Sequence, residues 1–206
     1  RSPYAPIVSA HQYVHACLFD RIISGRYPGG THLKTEDLAQ ELKTSRMPVR
    51  EALRQLNTEG LVVIWPNRGA FVTSLTGEDI LDLFEMRAAL EGLACRVAAT
   101  RRTAIDLERL AKLLAQMERH KDTPTAWLKR HDQLHDAICA IAGRPRLSRQ
   151  ISLIRDQTRP YIRLYIGTHD DPEVAGIEHL TLIDAVREGD ATRAEQEMRL
   201  HVERNG

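Results

Sequence analysis

The sequence predicts a mainly α-helical protein in two parts: three short helices with a β-hairpin, and then an antiparallel bundle of about six helices. Three observations lead to this fold class. Apolar residues recur at the three- and four-residue spacing of amphipathic helices along most of the chain. Strand-like sequence is confined to residues 61–74. The length of 206 residues allows one domain or two small ones, and only 5% of the residues are aromatic.

Charge is distributed unevenly along the chain. There are 29 Lys and Arg residues against 28 Asp and Glu, and this net charge of +1 excludes a uniformly basic nucleic-acid coat. Nine basic and six acidic residues lie up to Leu75, whereas twenty basic and twenty-two acidic residues follow it. We therefore predict a basic N-terminal domain of residues 1–75 and a slightly acidic C-terminal domain of residues 76–206.

The cysteines and the apolar runs predict the cellular compartment of the protein. The three cysteines are scattered and form no CxxC pair, as is typical of a reducing environment. No apolar run is long enough to span a membrane, and the first residues lack the apolar core of a signal peptide. We expect a cytoplasmic protein that does not associate with a membrane.

Two helices are predicted at the start of the N-terminal domain. The first ends at Gly25, before a turn rich in Pro and Gly. Its inward positions are Val14, Leu18, Ile22 and Ile23. The second is short and runs from Thr35 to about Leu42.

The third helix has one apolar face and one cationic face. It begins after Ser45, a favourable N-cap residue, and has Pro48 in its first turn, where the missing N–H costs no helical hydrogen bond. Its apolar positions are Val49, Ala52, Leu53 and Leu56. Arg46, Arg50 and Arg54 recur every four residues and form a cationic stripe. Such a stripe is either the solvated side of a surface helix or a surface that binds DNA.

A two-stranded hairpin follows, and its turn carries Arg68 and Gly69. Two helices, a basic helix and a hairpin in this order predict a winged helix-turn-helix. The basic helix would enter the major groove of DNA, and Arg68 would reach the adjacent minor groove or backbone. This context favours DNA binding over a merely solvated arginine stripe.

Specific motifs strengthen this interpretation. They are the runs Ser45-Arg46-Met47-Pro48-Val49-Arg50-Glu51-Ala52-Leu53, Glu59-Gly60-Leu61-Val62 and Arg68-Gly69-Ala70-Phe71-Val72. With them, the region from about Tyr13 to Leu75 closely resembles the DNA-binding domain of the GntR family of bacterial transcription regulators. The resemblance implies that Ser45, Arg46, Arg50 and Gly69 contact DNA. One departure is Glu36, at a second-helix position where many members carry a basic DNA-contacting residue.

Histidines mark the interior of the predicted C-terminal bundle. His131 and His135 are four residues apart and therefore share a helix face. His179 and His201 lie at similar distances from the Gly189-Asp190 turn, so an antiparallel helix pair would bring them level. A single inward histidine is more often a hydrogen-bonded core residue. Four imidazoles directed at one interior instead fit a borderline divalent ion such as Zn²⁺ or Ni²⁺.

The same region carries a second resemblance. Its marks are Arg87-x-x-x-Glu91, the His135-Asp136-x-Ile138 region, Glu178-His179 and His201. They are similar to the all-helical FCD ligand-binding domain of the FadR subfamily of GntR regulators. The resemblance implies that His135, His179 and His201 bind a metal, that an organic acid binds there as effector, and that Arg87 contacts the effector.

Two positions leave alternatives open. His131 replaces the Asp that the subfamily carries four residues before its first histidine, and Asp132 follows it. Either His131 binds the ion, or Asp132 does so from a shifted helix, or the ion is lost; we favour His131 because its spacing to His135 is intact. Arg87 either clamps a carboxylate or forms a surface ion pair with Glu91.

The sequence as a whole predicts a homodimeric, effector-responsive transcription regulator that binds palindromic double-stranded DNA and is not an enzyme. One alternative is a zinc-dependent hydrolase, since His131-Asp132-x-x-His135 mimics the HExxH pattern. Asp is shorter than Glu, however, and four histidine ligands leave no tetrahedral position for water. A further alternative is a regulator whose metal is purely structural.

Overall fold

The computed structural model describes residues 9–166 and 172–204, which contain nine helices and three short strands. The chain divides into two compact units, Arg1–Thr76 and Gly77–Gly206. The first contains the helix-turn-helix and the wing, and the second is all-helical in its described part, so the predicted fold class is confirmed. Within the described ranges, no helix combines the length and apolarity that a membrane span requires.

The N-terminal unit is built from three helices and a small sheet. Its elements are α1 (Ala10–Ile23), β1 (His32–Leu33), α2 (Thr35–Glu41), α3 (Arg46–Thr58), β2 (Val62–Trp65) and β3 (Gly69–Val72). A capping box starts α1, in which Ser9 Oγ accepts a hydrogen bond from the Gln12 backbone and the Gln12 side chain accepts one from the Ser9 backbone. The predicted inward residues of α1 are all buried, and α1 packs against α3.

The sheet differs from the prediction by one strand. It is antiparallel with the order β1-β3-β2, whereas the sequence predicted only the β2-β3 hairpin. In β1, His32 pairs with Phe71 and Leu33 pairs with Ala70. Two residues are too short to show the period-two alternation by which a strand is recognised, so this strand depends on its partner rather than on its own sequence.

Helix α3 has the two faces that its sequence predicts. Its four apolar positions, Val49, Ala52, Leu53 and Leu56, are buried in the core of the unit. Ser45 occupies the N-cap position, but its side chain makes no capping hydrogen bond within the described residues. The expected capping role of Ser45 is therefore met by its backbone conformation only, and the residue is exposed.

The C-terminal unit is a bundle organised around one long helix. Its elements are α4 (Gly77–Arg101), α5 (Ala104–Glu118), α6 (Pro124–Ala142), α7 (Pro145–Ile166), α8 (Pro172–Glu188) and α9 (Ala191–Arg204). Helix α4 contacts α6, α7, α8 and α9, and α5 covers α6 and α8. This arrangement brings residues of α6, α8 and α9 together beside α4.

The close approach of α9 to α4 depends on Gly92. A Cβ atom at this position would lie 2.8 Å from Cγ of Arg199 and 3.2 Å from the carbonyl oxygen of Glu195. Both distances are below normal van der Waals contact, so a larger residue here would require Arg199 and the α9 backbone to shift. Gly92 thereby permits the close approach of α9, which carries His201.

Candidate metal centre and DNA-binding surface

Four buried histidines meet inside the C-terminal unit. They are His131 and His135 of α6, His179 of α8 and His201 of α9, called here the histidine cluster. One ring nitrogen of each lies within 4.8 Å of those of the other three. Every histidine predicted as a metal ligand is therefore part of this group, including the pair from the last two helices that the turn at Gly189 was expected to bring level.

The rings face one another closely. The ring centroids of His131 and His135 are 4.4 Å apart, as are those of His179 and His201. Nε2 of His131 lies 3.4 Å from Nε2 of His201. Trp127, one turn before His131 on α6, stacks on the His131 ring with centroids 5.2 Å apart and covers that side of the cluster.

Two carboxylates fix the orientation of two of the imidazoles. Nδ1 of His135 donates to Oε2 of Glu91 over 2.6 Å, and Nδ1 of His201 donates to Oε2 of Glu178 over 2.9 Å. A proton on Nδ1 leaves Nε2 deprotonated and available as a ligand atom. The sequence motifs contained both carboxylates, but their part in orienting the histidines was not predicted.

Electrostatics keep His131 and His135 in the neutral state that binds a metal. Burial, reinforced by the neighbouring histidines, lowers the pKa of His131 well below its ordinary value. Burial also lowers the pKa of His135, although Glu91 opposes the shift. Burial alone would raise the pKa of Glu91, but Arg87 and His135 hold it well below its usual range. Neutral imidazoles beside an ionised carboxylate are therefore favoured.

The donor set fits a divalent transition ion. Nε2 of His135 and Nδ1 of His131 are buried and have no hydrogen-bond partner within the described part of the chain. A buried polar atom without a partner is costly, and coordination would remove this cost at His135. Four imidazoles form a borderline ligand set that suits zinc or nickel better than magnesium or calcium.

Asp132 lies outside the histidine cluster and forms ion pairs. Its carboxylate is 2.9 Å from Nη2 of Arg155 and 3.2 Å from Nη2 of Arg159. Arg155 also binds Asp136 over 2.6 Å and is only 5% exposed. Arg155 is therefore a buried arginine whose charge these two carboxylates compensate.

Arg87 forms the ion pair with Glu91 that the sequence suggested, but both side chains are buried rather than on the surface. Its Nε donates to Oε1 of Glu91 over 2.9 Å, and its Nη1 is 3.3 Å from Oγ1 of Thr158. The guanidinium also lies over the ring of Phe84. Because Glu91 holds His135 as well, a continuous chain of hydrogen bonds links Arg87 to the histidine cluster.

The predicted DNA-binding residues lie on the surface of the N-terminal unit. Ser45 and the three arginines of α3 are exposed, and we call Arg46, Arg50 and Arg54 the cationic face. Oε1 of Glu36 on α2 lies 3.4 Å from Nη1 of Arg46. The acidic residue that stands where many family members have a basic one therefore pairs with a predicted DNA-binding residue.

The wing carries Arg68 and Gly69 in exposed positions. Gly69 has a φ of 96°, and a Cβ atom there would lie 2.8 Å from Nε2 of His32. The positive φ and the close His32 ring both favour glycine at this position, independently of any contact with DNA. The His32 ring in turn stacks on Phe71 of β3.

Comparison with known proteins agrees with both units. Residues 11–72 match the model of the bacterial regulatory proteins of the gntR family, and residues 82–204 match the FCD domain. The Nta operon transcriptional regulator of Aminobacter aminovorans is 32% identical over 138 residues, which are 66% of either chain. The galactonate operon transcriptional repressor of Escherichia coli is 27% identical over 197 residues, which are 85% of this chain and 86% of the repressor.

Solved structures share the fold over nearly the whole chain. E. coli McbR/YncC superposes with a TM-score of 0.81 at 21% identity, covering 97% of this chain and 96% of that one. A putative transcriptional regulator GntR from Rhodococcus sp. RHA1 gives 0.76 at 25% identity, covering 94% of each chain. Since the matched families and the named relatives are regulators rather than enzymes, the chain is a transcription regulator of the GntR family with a C-terminal FCD domain.

Proposed function

We propose that this regulator binds operator DNA through the cationic face of α3 and adjusts its occupancy in response to a carboxylate bound at a metal centre. The proposal of DNA binding rests on the division of α3 into a buried apolar face and an exposed arginine face. Arg46, Arg50 and Arg54 would bind guanine edges or phosphates in the major groove, with Ser45 at the start of the helix. Arg68 and Gly69 of the wing would contact the neighbouring backbone or minor groove.

The histidine cluster supports the sensing part. His131, His135, His179 and His201 would hold a zinc or nickel ion, with His131 in the place of the subfamily's Asp. Asp132 is the weaker candidate because Arg155 and Arg159 engage its carboxylate. With neutral ligands the ion would supply an undiminished double positive charge beside which a carboxylate is stabilised.

Arg87 would assist the binding of the effector. A guanidinium has five N–H donors, and the contacts with Glu91 and Thr158 engage two of them. Arg87 is therefore suited to a second carboxylate contact without releasing Glu91. A small organic acid is the ligand class that this combination of a cation site and a buried arginine favours.

Regulation would require two arrangements of a homodimer on a palindromic operator, in the cytoplasm where bacterial operators lie. Two-fold symmetry in the protein matches two-fold symmetry in the half-sites. The effector changes operator occupancy only if it binds the DNA-competent and DNA-incompetent arrangements with different affinity.

DNA binding is tested with sequences enriched by the whole chain from random double-stranded DNA. We expect Arg50→Ala to weaken binding about 5- to 150-fold, because the loss of one base contact costs about 1–3 kcal/mol. Arg26→Ala removes the same charge from an exposed loop position and should change binding far less. Equal affinity of Arg50→Ala and the parent chain in an anisotropy titration would contradict the role of Arg50.

The sensing part is tested by thermal-shift measurements on chelator-treated and on Zn²⁺- or Ni²⁺-loaded protein with a panel of small organic acids. The proposal expects at least one acid to stabilise only the loaded protein. Metal binding without any response to acids would instead favour the purely structural metal. A chain that binds neither metal would contradict the metal centre altogether.

A further inference from the structure

Met47 is an exposed apolar side chain on the same side of α3 as the cationic face. It is the second residue of the helix, and 61% of it is exposed. At about 100° per residue, Arg46, Arg50, Arg54 and Met47 all point within an arc of about 100°. Met47 therefore shares the exposed side of the helix with the three arginines.

Packing among residues 9–76, the described part of the unit, gives no reason for a methionine at this position. The core side of α3 is formed by Val49, Ala52, Leu53 and Leu56, each at most 3% exposed, and Met47 lies away from it. Isolated exposed apolar residues are common and need no explanation by themselves. Met47 differs from them by its place in the first turn of the helix, the part that contacts base edges in helix-turn-helix proteins.

We propose that Met47 recognises a thymine of the operator by contact with its C5-methyl group, an inference that rests on the proposed DNA-binding function. Thymine is the only base with a methyl group in the major groove, and apolar side chains distinguish it by contact. The unbranched thioether side chain of Met adapts readily to such a surface. Arg46 and Arg50, on either side of Met47 in the chain, would bind guanine edges or phosphates. Met47 would add a preference for thymine.

The contact predicts an A·T preference at one position of each half-site. Because the contact involves a methyl group rather than a hydrogen bond, it is lost when thymine is replaced by uracil, which keeps every hydrogen-bonding group. Burial of one such carbon changes affinity about fourfold, which corresponds to about 0.8 kcal/mol.

The experiment uses the whole chain and an operator enriched from random double-stranded DNA. Each dT of one half-site is replaced in turn by dU, and affinity is measured by fluorescence anisotropy at fixed salt. We expect one replacement to weaken binding of the parent chain about fourfold, the effect of burying one methyl-sized group. In Met47→Ala that replacement should have no effect, because the methyl contact is already absent.

Two further variants separate this role from others. Arg50→Ala should weaken binding to the dT and dU operators equally and so leave their ratio at the parent value. Met86→Ala, which truncates a Met that is 50% exposed on α4, should leave both affinities and their ratio unchanged. The melting temperature of Met47→Ala should equal that of the parent because the side chain is outside the core.

The outcomes distinguish this proposal from the one on which it rests. If the chain enriches an operator but the ratio of dT to dU affinity is the same in Met47→Ala and the parent at every position, Met47 does not recognise thymine and DNA binding stands. If the chain enriches no sequence, both proposals are wrong.

Discussion

Oε2 of Glu91 lies 2.6 Å from Nδ1 of His135, and Oε1 of the same carboxylate lies 2.9 Å from Nε of Arg87. One side chain of α4 thus contacts both a member of the histidine cluster and the arginine proposed to bind the effector. Its charge holds His135 in the tautomer that presents Nε2 to the cluster. Binding of a metal and binding of a carboxylate are expected to influence each other through Glu91.

Glu91→Gln should weaken metal binding about 10- to 100-fold, the usual cost of removing a carboxylate that orients a histidine ligand. The measurement is calorimetric titration of the chelator-treated protein with Zn²⁺ or Ni²⁺. Because Glu91 also compensates buried Arg87, the variant is destabilised as well, and Glu178→Gln provides a second test at the more accessible His201 pair. Glu85→Gln on the exposed side of α4 is the matched control. Unchanged metal affinity in both Glu91→Gln and Glu178→Gln would contradict the orienting role.

The stability of the metal-free protein should fall as the pH is lowered below about 6.5, the ordinary pKa of histidine. His131 and His135 have lowered pKa values in the folded state, so below this pH the unfolded chain binds protons that the folded chain does not. For each histidine that stays neutral in the folded state, the free energy of unfolding then falls by up to about 1.4 kcal/mol for each unit by which the pH is lowered.

Urea unfolding between pH 7.5 and 5.5 measures this loss. His131→Gln should reduce the dependence on pH, whereas His120→Gln, which removes a half-buried histidine that contacts the Gln116 carbonyl, should leave most of it. A flat stability profile of the parent chain in this range would show that burial does not hold His131 and His135 neutral.

Metal binding should be visible in the fluorescence of Trp127. Its ring stacks on His131, whereas the second tryptophan, Trp65, is 54% exposed in the wing of the other unit. An open-shell ion such as Ni²⁺ quenches an excited indole at short range, and closed-shell Zn²⁺ does so much less. We expect Ni²⁺ to quench emission in the parent and in Trp65→Phe, but not in Trp127→Phe. Equal quenching in both single variants would place the ion away from the histidine cluster.

Glu36→Gln should increase affinity for DNA. The carboxylate both engages Arg46 at 3.4 Å and repels phosphates, and such an exposed pair is worth up to about 1 kcal/mol, or about fivefold. Release of Arg46 for one more phosphate contact would steepen the salt dependence of log K by about 0.9. Asp37→Asn removes an equal charge from the next residue of α2 and serves as control. A tighter complex in both variants would indicate a general charge effect rather than release of Arg46.

Gly92→Ala should destabilise the C-terminal unit, because the added methyl group meets α9 at 2.8 and 3.2 Å. Overpacking of this kind costs about 1–3 kcal/mol, and the better helix propensity of Ala recovers about 1 kcal/mol of it. Gly77→Ala, at the start of the same helix, should be neutral or stabilising, because the added Cβ would have no atom of the described residues within 4 Å. Thermal unfolding compares the two, and equal melting temperatures would show that α9 adjusts freely.

The sequence by itself determined the features that depend on local spacing. The apolar repeats of α1 and α3 define which side of each helix is buried, and the four-residue spacing of Arg46, Arg50 and Arg54 places them on the other side. The pair His131 and His135 shares a face for the same reason. Local periodicity is readable from one sequence because a helix repeats every 3.6 residues whatever its neighbours are.

Only the tertiary structure decided which residues surround the predicted histidines. Glu91 and His135 are 44 residues apart on different helices, and no spacing rule connects them. Burial of Arg87 and Arg155 was likewise invisible, because a charged residue is buried only where other elements bring a compensating carboxylate to it. Strand β1 exists because β3 lies beside it, and the absence of a side chain at Gly92 permits the close approach of α9 to α4. These contacts depend on how the helices and strands pack, which the sequence of any one of them does not specify.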